Sequence, residues 1–144
     1  MNLSIYSVNA FIVLDTDGSV LMLLSALTTL ALYPPPNLKI FVFDNEAYEG
    51  TGSQPTATAG LTDIAAIARG AGVRDAQTVS DLESFQKLAR TALTTPGLAF
   101  IVAKVELSKV PGPRKRIPPR EALTRFVRHV EATEKISIFN TEVA

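Results

Sequence analysis

The sequence has 144 residues, of which 14 are basic, 14 are acidic and none is cysteine. This length suits one domain, and the balanced charge gives no general attraction for nucleic acid or for an anionic membrane. The absence of cysteine excludes disulfides and thiolate metal sites and fits a reducing cytoplasm, where we expect the protein to reside. No basic segment precedes the first apolar residues, and the apolar run 20–33 is shorter than the roughly 20 residues that span a bilayer.

Hydrophobic patterns predict alternating strands and helices along the first half of the chain. The apolar run Ala10–Leu14 predicts a buried parallel strand, and Ser19–Leu32 predicts a buried helix whose first residue is the expected N-cap. The proline run 34–36 ends that helix, because proline cannot donate a backbone hydrogen bond. The β-branched and aromatic segment Leu38–Phe43 predicts a second strand, and the Gly-, Thr- and Ser-rich segment 46–60 predicts a long loop of the kind that is either functional or disordered.

Helices and strands also alternate in the second half of the chain. Gly72 is expected to end the first of these helices, because glycine readily adopts the left-handed conformation that follows a helix. The predicted elements are a helix over 62–70 capped by Thr62, a strand over 77–79, a helix capped by Ser80 or Asp81 and ending at Thr94, a strand over 98–105, an extended arm over 106–119 and a helix over 120–134.

This alternation predicts a three-layer α/β/α fold with a mostly parallel sheet. We expect residues 1–134 to form one domain and residues 135–144 to be a C-terminal tail. Asp17 follows the first strand and Asn45 follows the second, so both are expected at the carboxyl edge of the sheet. Open α/β sheets bind their ligands at that edge.

The residues expected at this edge suit a metal–diphosphate site. Asp17 and Asn45 offer the oxygen ligands that Mg²⁺ and Ca²⁺ prefer. Gly18 would let a phosphate approach the backbone, and Ser19 would add a hydroxyl and an N–H group. The same residues also suit a turn that merely caps a helix, and residue chemistry alone leaves both interpretations open.

Two segments, 16–19 and 44–56, together resemble the diphosphate-binding domain of thiamine diphosphate enzymes. The family motif opens with Gly-Asp-Gly-Ser and closes one crossover later with Asn-Asn or Asp-Asn. Here the opening is Thr-Asp-Gly-Ser and the closing is Asp-Asn-Glu-Ala-Tyr. The loop 48–56 is similar to the Tyr-x-x-Thr-Gly-Gly-Gln-x-Thr loop of the sulfopyruvate and phosphonopyruvate decarboxylases, and the segment 99–105 is similar to the beta subunit of that group.

This resemblance implies thiamine diphosphate and Mg²⁺ as cofactors. The side chains of Asp17 and Asn45 and the carbonyl of Ala47 would ligate the metal ion. Glu49, a loop carboxylate near the proposed cofactor, is our hypothesis for a catalytic proton transfer. The other residues implied to contact the cofactor, or to cover it, are Gly18, Ser19, Tyr48, Gly50 and Thr51, within a covering segment that reaches Gln54. Ordinary packing is the alternative role for Tyr48.

The resemblance also implies a partner. In this family the glutamate that activates the aminopyrimidine lies in a different domain, so the active site would be shared with a pyrimidine-binding alpha subunit or domain in a homo- or hetero-oligomer. We expect the chain to be inactive alone and the assembly to decarboxylate a small 2-oxo acid. We expect no nucleic-acid or membrane partner, because the acidic and basic residues balance.

The sequence departs from the family pattern in three places. Thr16 replaces the first glycine of the motif, which requires a backbone conformation that a β-branched residue accepts. Ser53 replaces a loop glycine. The strand and helix that precede this motif in the family are not found before residue 10. We therefore expect a truncated chain, a split gene product or a degenerate paralogue.

Other functions are also compatible with parts of the sequence. The segment 11–19 is similar to the opening of haloacid-dehalogenase-type phosphatases, with Asp15 as nucleophile and Asp17 as general acid/base. A scaffold that keeps the fold without the cofactor is a further alternative, supported by Thr16 and by the family strand and helix that are not found before the motif. The basic cluster around Arg114–Arg116 is expected to be a solvated or subunit-contacting arm, and His129 is expected on the surface of the last helix.

Overall fold

Strands and helices alternate as predicted, and the computed structural model describes residues 10–107 and 117–138. The chain divides into two units, Met1–Ser108 and Lys109–Ala144. The elements of the first unit are β1 (Phe11–Thr16), α1 (Asp17–Met22), α2 (Ala26–Leu32), β2 (Leu38–Asp44), β3 (Ala47–Tyr48), β4 (Gln54–Pro55), α3 (Ile64–Ala71), β5 (Ala76–Val79), α4 (Leu82–Thr94) and β6 (Ala99–Lys104), with 3₁₀ turns at Glu49–Thr51 and Ala57–Ala59.

The main sheet has the strand order β1-β2-β6-β5, and every pairing in it is parallel. Successive side chains of a strand point to opposite faces, and the two faces here carry separate apolar clusters. One face packs against the helices α1, α2 and α3 and the other against α4, so the predicted α/β fold with a mostly parallel sheet is confirmed. The buried residues are Leu27, Ile40, Val42, Ile64, Ala65, Ala68, Val73, Ala76, Phe100 and Val102 on the first face, and Phe41, Ala92, Ala99 and Ile101 on the second.

The prediction that the first strand is buried is wrong. β1 lies at the edge of the described sheet, where β2 is its neighbour. Its side chains are exposed, with Phe11 at 52% and Leu14 at 69% of their full accessibility. A strand at an edge has a neighbour on one side only, so its apolar side chains lack the cover that β2 and β6 receive. β1 also continues to Thr16, beyond its predicted end.

The predicted helix 19–32 is instead two short helices, α1 and α2. The backbone N–H of Leu23 donates to Val20 and that of Ala26 donates to Leu23, so three-residue bonds interrupt the α-helical ladder. The N-cap of α1 is Thr16 rather than Ser19, because the helix begins directly at the end of the strand. The pair is also not a buried helix, since Leu27 is the buried residue of α2 while Met22, the last residue of α1, is 81% exposed.

Caps place the later helices close to their predicted bounds. Asp63 caps α3 by accepting the N–H of Ala66, so Thr62 is not the cap as predicted. Gly72 ends that helix in the left-handed conformation, with φ 107°, as predicted. Asp81 caps α4, as predicted, by accepting the N–H of Ser84, and this hydrogen bond lowers the pKa of Asp81.

The second unit contains α5 (Pro119–Glu134), which matches the predicted last helix to within one residue. His129 is exposed on it, as expected. The basic cluster at Arg114–Arg116 and most of the predicted arm lie outside the described residues. No helix among residues 10–107 and 117–138 combines the length and the apolar character that crossing a membrane requires. The assignment of 1–134 to one domain stays a prediction.

Candidate functional site

The ends of β1 and β2 bring two aspartates to the carboxyl edge of the sheet. The strands are parallel, and the last pair in their register joins Thr16 to Phe43. The next residue on the first chain segment is Asp17, in the first turn of α1, and the next on the second is Asp44, the last residue of β2. Thr16 has φ −122°, an extended conformation that a β-branched residue adopts easily, so its replacement of the family glycine is accommodated.

The Asp17 carboxylate is fully buried. Its Oδ2 accepts hydrogen bonds from the hydroxyl of Thr56 at 2.6 Å and from that of Thr58 at 3.2 Å. Its Oδ1 is buried without a hydrogen-bond partner among the described residues. A buried carboxylate oxygen without a partner carries the full cost of its desolvation, and a cation ligated there would remove that cost.

The second buried carboxylate, that of Asp44, is fully engaged. Its Oδ1 accepts from the Thr58 hydroxyl at 2.7 Å and from the backbone N–H of Glu46 at 3.1 Å. Its Oδ2 forms an ion pair with Lys104 Nζ at 2.9 Å, and Lys104 also contacts Glu46 at 2.8 Å. Lys104 is paired with Asp44 in the register of β2 and β6, so the parallel sheet itself sets this contact.

The pKa of Lys104 is raised by this arrangement. Burial by itself lowers that pKa, but the hydrogen bonds to Glu46 and Asp44, together with the charges of these two carboxylates, outweigh the effect of burial. Lys104 therefore stays a cation at neutral pH and compensates the buried charge of Asp44.

Asn45 has partners within its own turn. Its Oδ1 accepts the N–H of Ala47 at 3.1 Å, and its Nδ2 donates to Glu49 Oε2 at 2.9 Å. An amide oxygen has two lone pairs, so one of them stays available to a metal ion. Asn45 follows β2 at the same edge as Asp17, and Ala47 is buried two residues later. The ligand roles of all three residues stay predictions.

Gly18 and Tyr48 are in direct contact. A Cβ added to Gly18 would lie 2.7 Å from Tyr48 Cδ1 and 2.9 Å from its Cε1, so only glycine fits beneath this ring. Tyr48 therefore has a packing role at the site. Ser19 is exposed in the first turn of α1, and whether it contacts a diphosphate stays a prediction.

The predicted long loop 46–60 is a compact structure rather than an irregular segment. β3 and β4 pair in an antiparallel hairpin, and the N–H of Thr56 donates to the carbonyl of Glu46. Ser53 has φ 58°, in the left-handed region that favours glycine, which explains why the related loop carries glycine there. Gly50 and Thr51 lie exposed in the 3₁₀ turn that connects the two strands of the hairpin.

Three residues that organise this edge, Thr56, Thr58 and Lys104, were not predicted from the sequence as site residues. The fold of the loop places Thr56 and Thr58 against Asp17, at sequence separations of 39 and 41 residues. No local sequence pattern predicts contacts between residues so far apart in the chain.

The donors at this edge fit a magnesium ion held jointly by protein and diphosphate. No group of three or more His, Cys, Asp or Glu side chains within the described parts of the chain could hold a metal ion. A metal ion here would therefore need the Asp17 carboxylate together with amide, carbonyl and phosphate oxygens. Mg²⁺ uses such a set, since it is commonly bound by one or two carboxylates with substrate phosphates and water.

Comparison with known proteins supports a thiamine diphosphate-binding domain. Residues 7–103 match the family model described as "Thiamine pyrophosphate enzyme, C-terminal TPP binding domain". The sulfopyruvate decarboxylase subunit beta of Methanocaldococcus jannaschii is 36% identical over 120 residues, which are 83% of this chain and 63% of that protein. The corresponding subunit of Methanothermobacter thermautotrophicus is 36% identical over 124 residues, 85% of this chain and 64% of that protein.

A larger relative is also similar to this chain, but over a smaller share of its own length. The phosphonopyruvate decarboxylase of Streptomyces viridochromogenes is 30% identical over 127 residues, 88% of this chain and 32% of that protein. The chain thus spans less than two thirds of the length of each of these relatives. These matches favour the thiamine diphosphate interpretation of the Asp17 motif over the phosphatase interpretation. The chain belongs to the thiamine pyrophosphate enzymes, and the part that matches is their C-terminal cofactor-binding domain.

Proposed function

We propose that this chain is the diphosphate- and Mg²⁺-binding subunit of a thiamine diphosphate-dependent 2-oxo acid decarboxylase similar to the sulfopyruvate and phosphonopyruvate decarboxylases. The observation that carries the proposal is Asp17 Oδ1, a buried carboxylate oxygen without a partner among the described residues, at the edge of the sheet where α/β folds bind ligands. The names of the relatives support decarboxylation as the class of reaction.

In this proposal Asp17 supplies the anionic ligand to the metal ion. Asn45 adds its amide oxygen through the lone pair that the Ala47 N–H leaves free, and Ala47 adds its carbonyl. The backbone of Gly18 and Ser19, at the start of α1, binds the diphosphate. Thiamine diphosphate supplies the electron sink for decarboxylation when it is bound. The chain's own residues bind the charged end of the cofactor and orient it.

The hairpin β3–β4 covers the bound cofactor and lines the substrate entrance. Tyr48 packs on Gly18 and so fixes the hairpin against the start of α1. Gly50, Thr51 and Glu49 are exposed in its turn, and Glu49 accepts a hydrogen bond from Asn45. We assign to Glu49 a proton transfer to or from the substrate. Unchanged turnover in a Glu49→Gln variant of the assembled enzyme would remove this assignment.

The proposed enzyme also needs a partner subunit to complete its active site. Two of the relatives are named as beta subunits, which supports a partner subunit for this chain. We propose that the partner binds the aminopyrimidine end of the cofactor and that the chain alone does not turn over a 2-oxo acid. The assembly would be a homo- or hetero-oligomer in the cytoplasm.

Calorimetric titration of thiamine diphosphate into the purified chain tests the proposal. We expect binding heat in Mg²⁺, no heat in EDTA, and no heat from an Asp17→Ala variant in Mg²⁺. The matched control is Asp75→Ala, because Asp75 is an exposed aspartate directly before β5, at the opposite edge of the sheet. This control is expected to bind as the unchanged chain does.

Two results would contradict the proposal. Binding that persists in EDTA would show that the diphosphate is held without a metal ion. The absence of heat from the unchanged chain, both alone and with a co-purified partner, would favour the scaffold alternative. The extended conformation of Thr16 already weakens that alternative, because the replacement of the family glycine does not distort the turn.

A further inference from the structure

Four parts of the fold contribute to one network of polar side chains at the carboxyl edge of the sheet, which we call the threonine bridge. It consists of Asp17 from α1, Asp44 from β2, Lys104 from β6, and Thr56 and Thr58 from the segment after β4. Asp17, Asp44, Thr56 and Thr58 are each 5% exposed or less. These four side chains lie in the interior, and the Lys104 side chain, 33% exposed, lies at its boundary. Buried polar groups without partners are costly, and those with partners are held in fixed orientations.

Thr58 occupies the central position in the threonine bridge. Its hydroxyl lies 2.7 Å from Asp44 Oδ1, 3.2 Å from Asp17 Oδ2 and 2.8 Å from the Thr56 hydroxyl. Thr56, by comparison, contacts Asp17 and Thr58. Thr58 is thus the residue that links the Asp44 carboxylate to the Asp17 carboxylate.

The bridge also determines which oxygen of Asp17 is available. Both threonine hydroxyls contact Oδ2, and Oδ1 has no partner among the described residues. The Thr58 hydroxyl has one proton, which it shares between Asp44 Oδ1 at 2.7 Å and Asp17 Oδ2 at 3.2 Å, whereas Thr56 donates the shorter hydrogen bond to Asp17 Oδ2, at 2.6 Å. Rotation of the Asp17 carboxylate would break both of its contacts. The bridge therefore presents Oδ1, in a fixed orientation, to whatever binds at the sheet edge.

Charge explains why Lys104 belongs to the threonine bridge. Asp17 and Asp44 are buried carboxylates joined through one hydroxyl, so their negative charges repel each other. Lys104 neutralises Asp44 through a 2.9 Å contact. The charge of Asp17 is left for a cation from outside the chain.

We propose that Thr58 is a positioning residue that sets the orientation of the Asp17 carboxylate for a divalent cation, with Asp44 and Lys104 holding Thr58 in place. The inference rests on the proposed function for the identity of the ligand, which is a divalent cation bound together with a diphosphate. It extends that function to residues that touch neither group. Residues that orient the ligands of a metal ion typically change its affinity about 10–100-fold when they are replaced.

Cation titration of isosteric variants tests the proposal. Mn²⁺ serves as the probe, titrated in the presence of thiamine diphosphate and followed by electron paramagnetic resonance. We expect Thr58→Val, which keeps the shape and removes the hydroxyl, to weaken Mn²⁺ binding about 10–100-fold. Thr58→Ser keeps the hydroxyl and is expected to restore the affinity. Thr78→Val is the matched control, because Thr78 is an exposed threonine on β5 of the same sheet.

Crystal structures of the metal-free chain test the same proposal without any ligand. In Thr58→Val we expect the Asp17 carboxylate to rotate away from the orientation that it has in the unchanged chain, whereas in Thr58→Ser it should keep that orientation. An unmoved carboxylate in Thr58→Val, or equal loss of affinity in Thr58→Ser and Thr58→Val, overturns the positioning role. If the unchanged chain fails to bind Mn²⁺, the proposed function fails, and the crystal structures alone decide the role of Thr58.

Discussion

Two buried charges lie at opposite ends of β2 and are satisfied in different ways. Lys39, near the beginning of the strand, is 3% exposed, and Asp44, at its end, is 2% exposed. Lys39 Nζ donates to the backbone carbonyls of Thr95 and Gly97, with the contact to Thr95 at 2.8 Å. Asp44 contacts the side chains of Thr58 and Lys104 and the backbone N–H of Glu46.

The difference separates a structural charge from a functional one. Backbone carbonyls are fixed by the fold, so the ammonium group of Lys39 fastens the turn before β6 to the amino edge of the sheet. The partners of Asp44 are side chains from other elements, and they lead to Asp17, which keeps one oxygen without a partner. Partners that are backbone carbonyls, as those of Lys39 are, indicate a role in stability, whereas the unpartnered oxygen of Asp17, to which Asp44 is linked, indicates a ligand.

The largest expected effect is at Asp17. Asp17→Asn removes the anionic ligand, so we expect Mg²⁺-dependent binding of thiamine diphosphate to weaken more than 100-fold, beyond the roughly 10–100-fold typical of residues around a metal ligand. The same change removes a buried charge, so the free energy of unfolding of the metal-free chain should rise by about 1 kcal/mol or more. Calorimetry and urea unfolding measure the two effects. If the variant lost both cofactor binding and stability, the assignment of Asp17 as a metal ligand would be contradicted.

Replacing Lys39 should lower stability and leave cofactor binding unchanged, the reverse of the effects expected at Asp17. Lys39→Met removes two hydrogen bonds from a charged donor to backbone carbonyls, so we expect the free energy of unfolding to fall by about 2 kcal/mol. Cofactor affinity should stay unchanged, because Lys39 lies at the other end of β2. Urea unfolding and calorimetry are again the measurements. If Lys39→Met weakened cofactor binding and left stability unchanged, the structural role of Lys39 would be contradicted.

The contribution of Lys104 should depend on pH in a defined direction. Its pKa is raised in the folded chain above the ordinary value of 10.5, so the stability that the ion pair contributes is present below that value and is lost as the pH rises through the folded pKa. We expect the unfolding free energies of the unchanged chain and of Lys104→Met to differ near neutral pH and to converge as the pH rises above 10.5 through the raised pKa of Lys104. Urea unfolding across this range is the measurement, and a constant difference would contradict the ion pair.

The smallest expected effect is at Ser53. Ser53→Gly relieves a left-handed conformation with φ 58° in the hairpin turn, while glycine also makes the unfolded chain more flexible. We expect these effects to leave a stability gain of at most about 1 kcal/mol. Ser25→Gly is the control, because Ser25 has φ −59° and its replacement by glycine should lower stability. Thermal unfolding compares the two variants, and a loss at both positions would show that Ser53 is not strained.

Predictions from the sequence succeeded where the signal is local. β-branched and aromatic runs predicted β2 and β6, and Gly72 and Asp81 marked helix ends through their own conformational and hydrogen-bonding preferences. The edge position of β1 was missed, because an apolar run is the same in a central strand and in an exposed one. The interruption between α1 and α2 was also missed, because Leu- and Ala-rich sequence favours continuous helix.

The sequence by itself determined the alternation of strands and helices, the family motif around Asp17 and Asn45, and the approximate place of the site at the carboxyl edge of the sheet. Tertiary structure alone decided that Thr56 and Thr58 hold one oxygen of Asp17, that Lys104 pairs with Asp44, and that the other oxygen of Asp17 is left without a partner. Propensities and motifs act over a few neighbouring residues. Hydrogen bonds between residues about 40 apart exist only after the chain has folded and excluded water from between them.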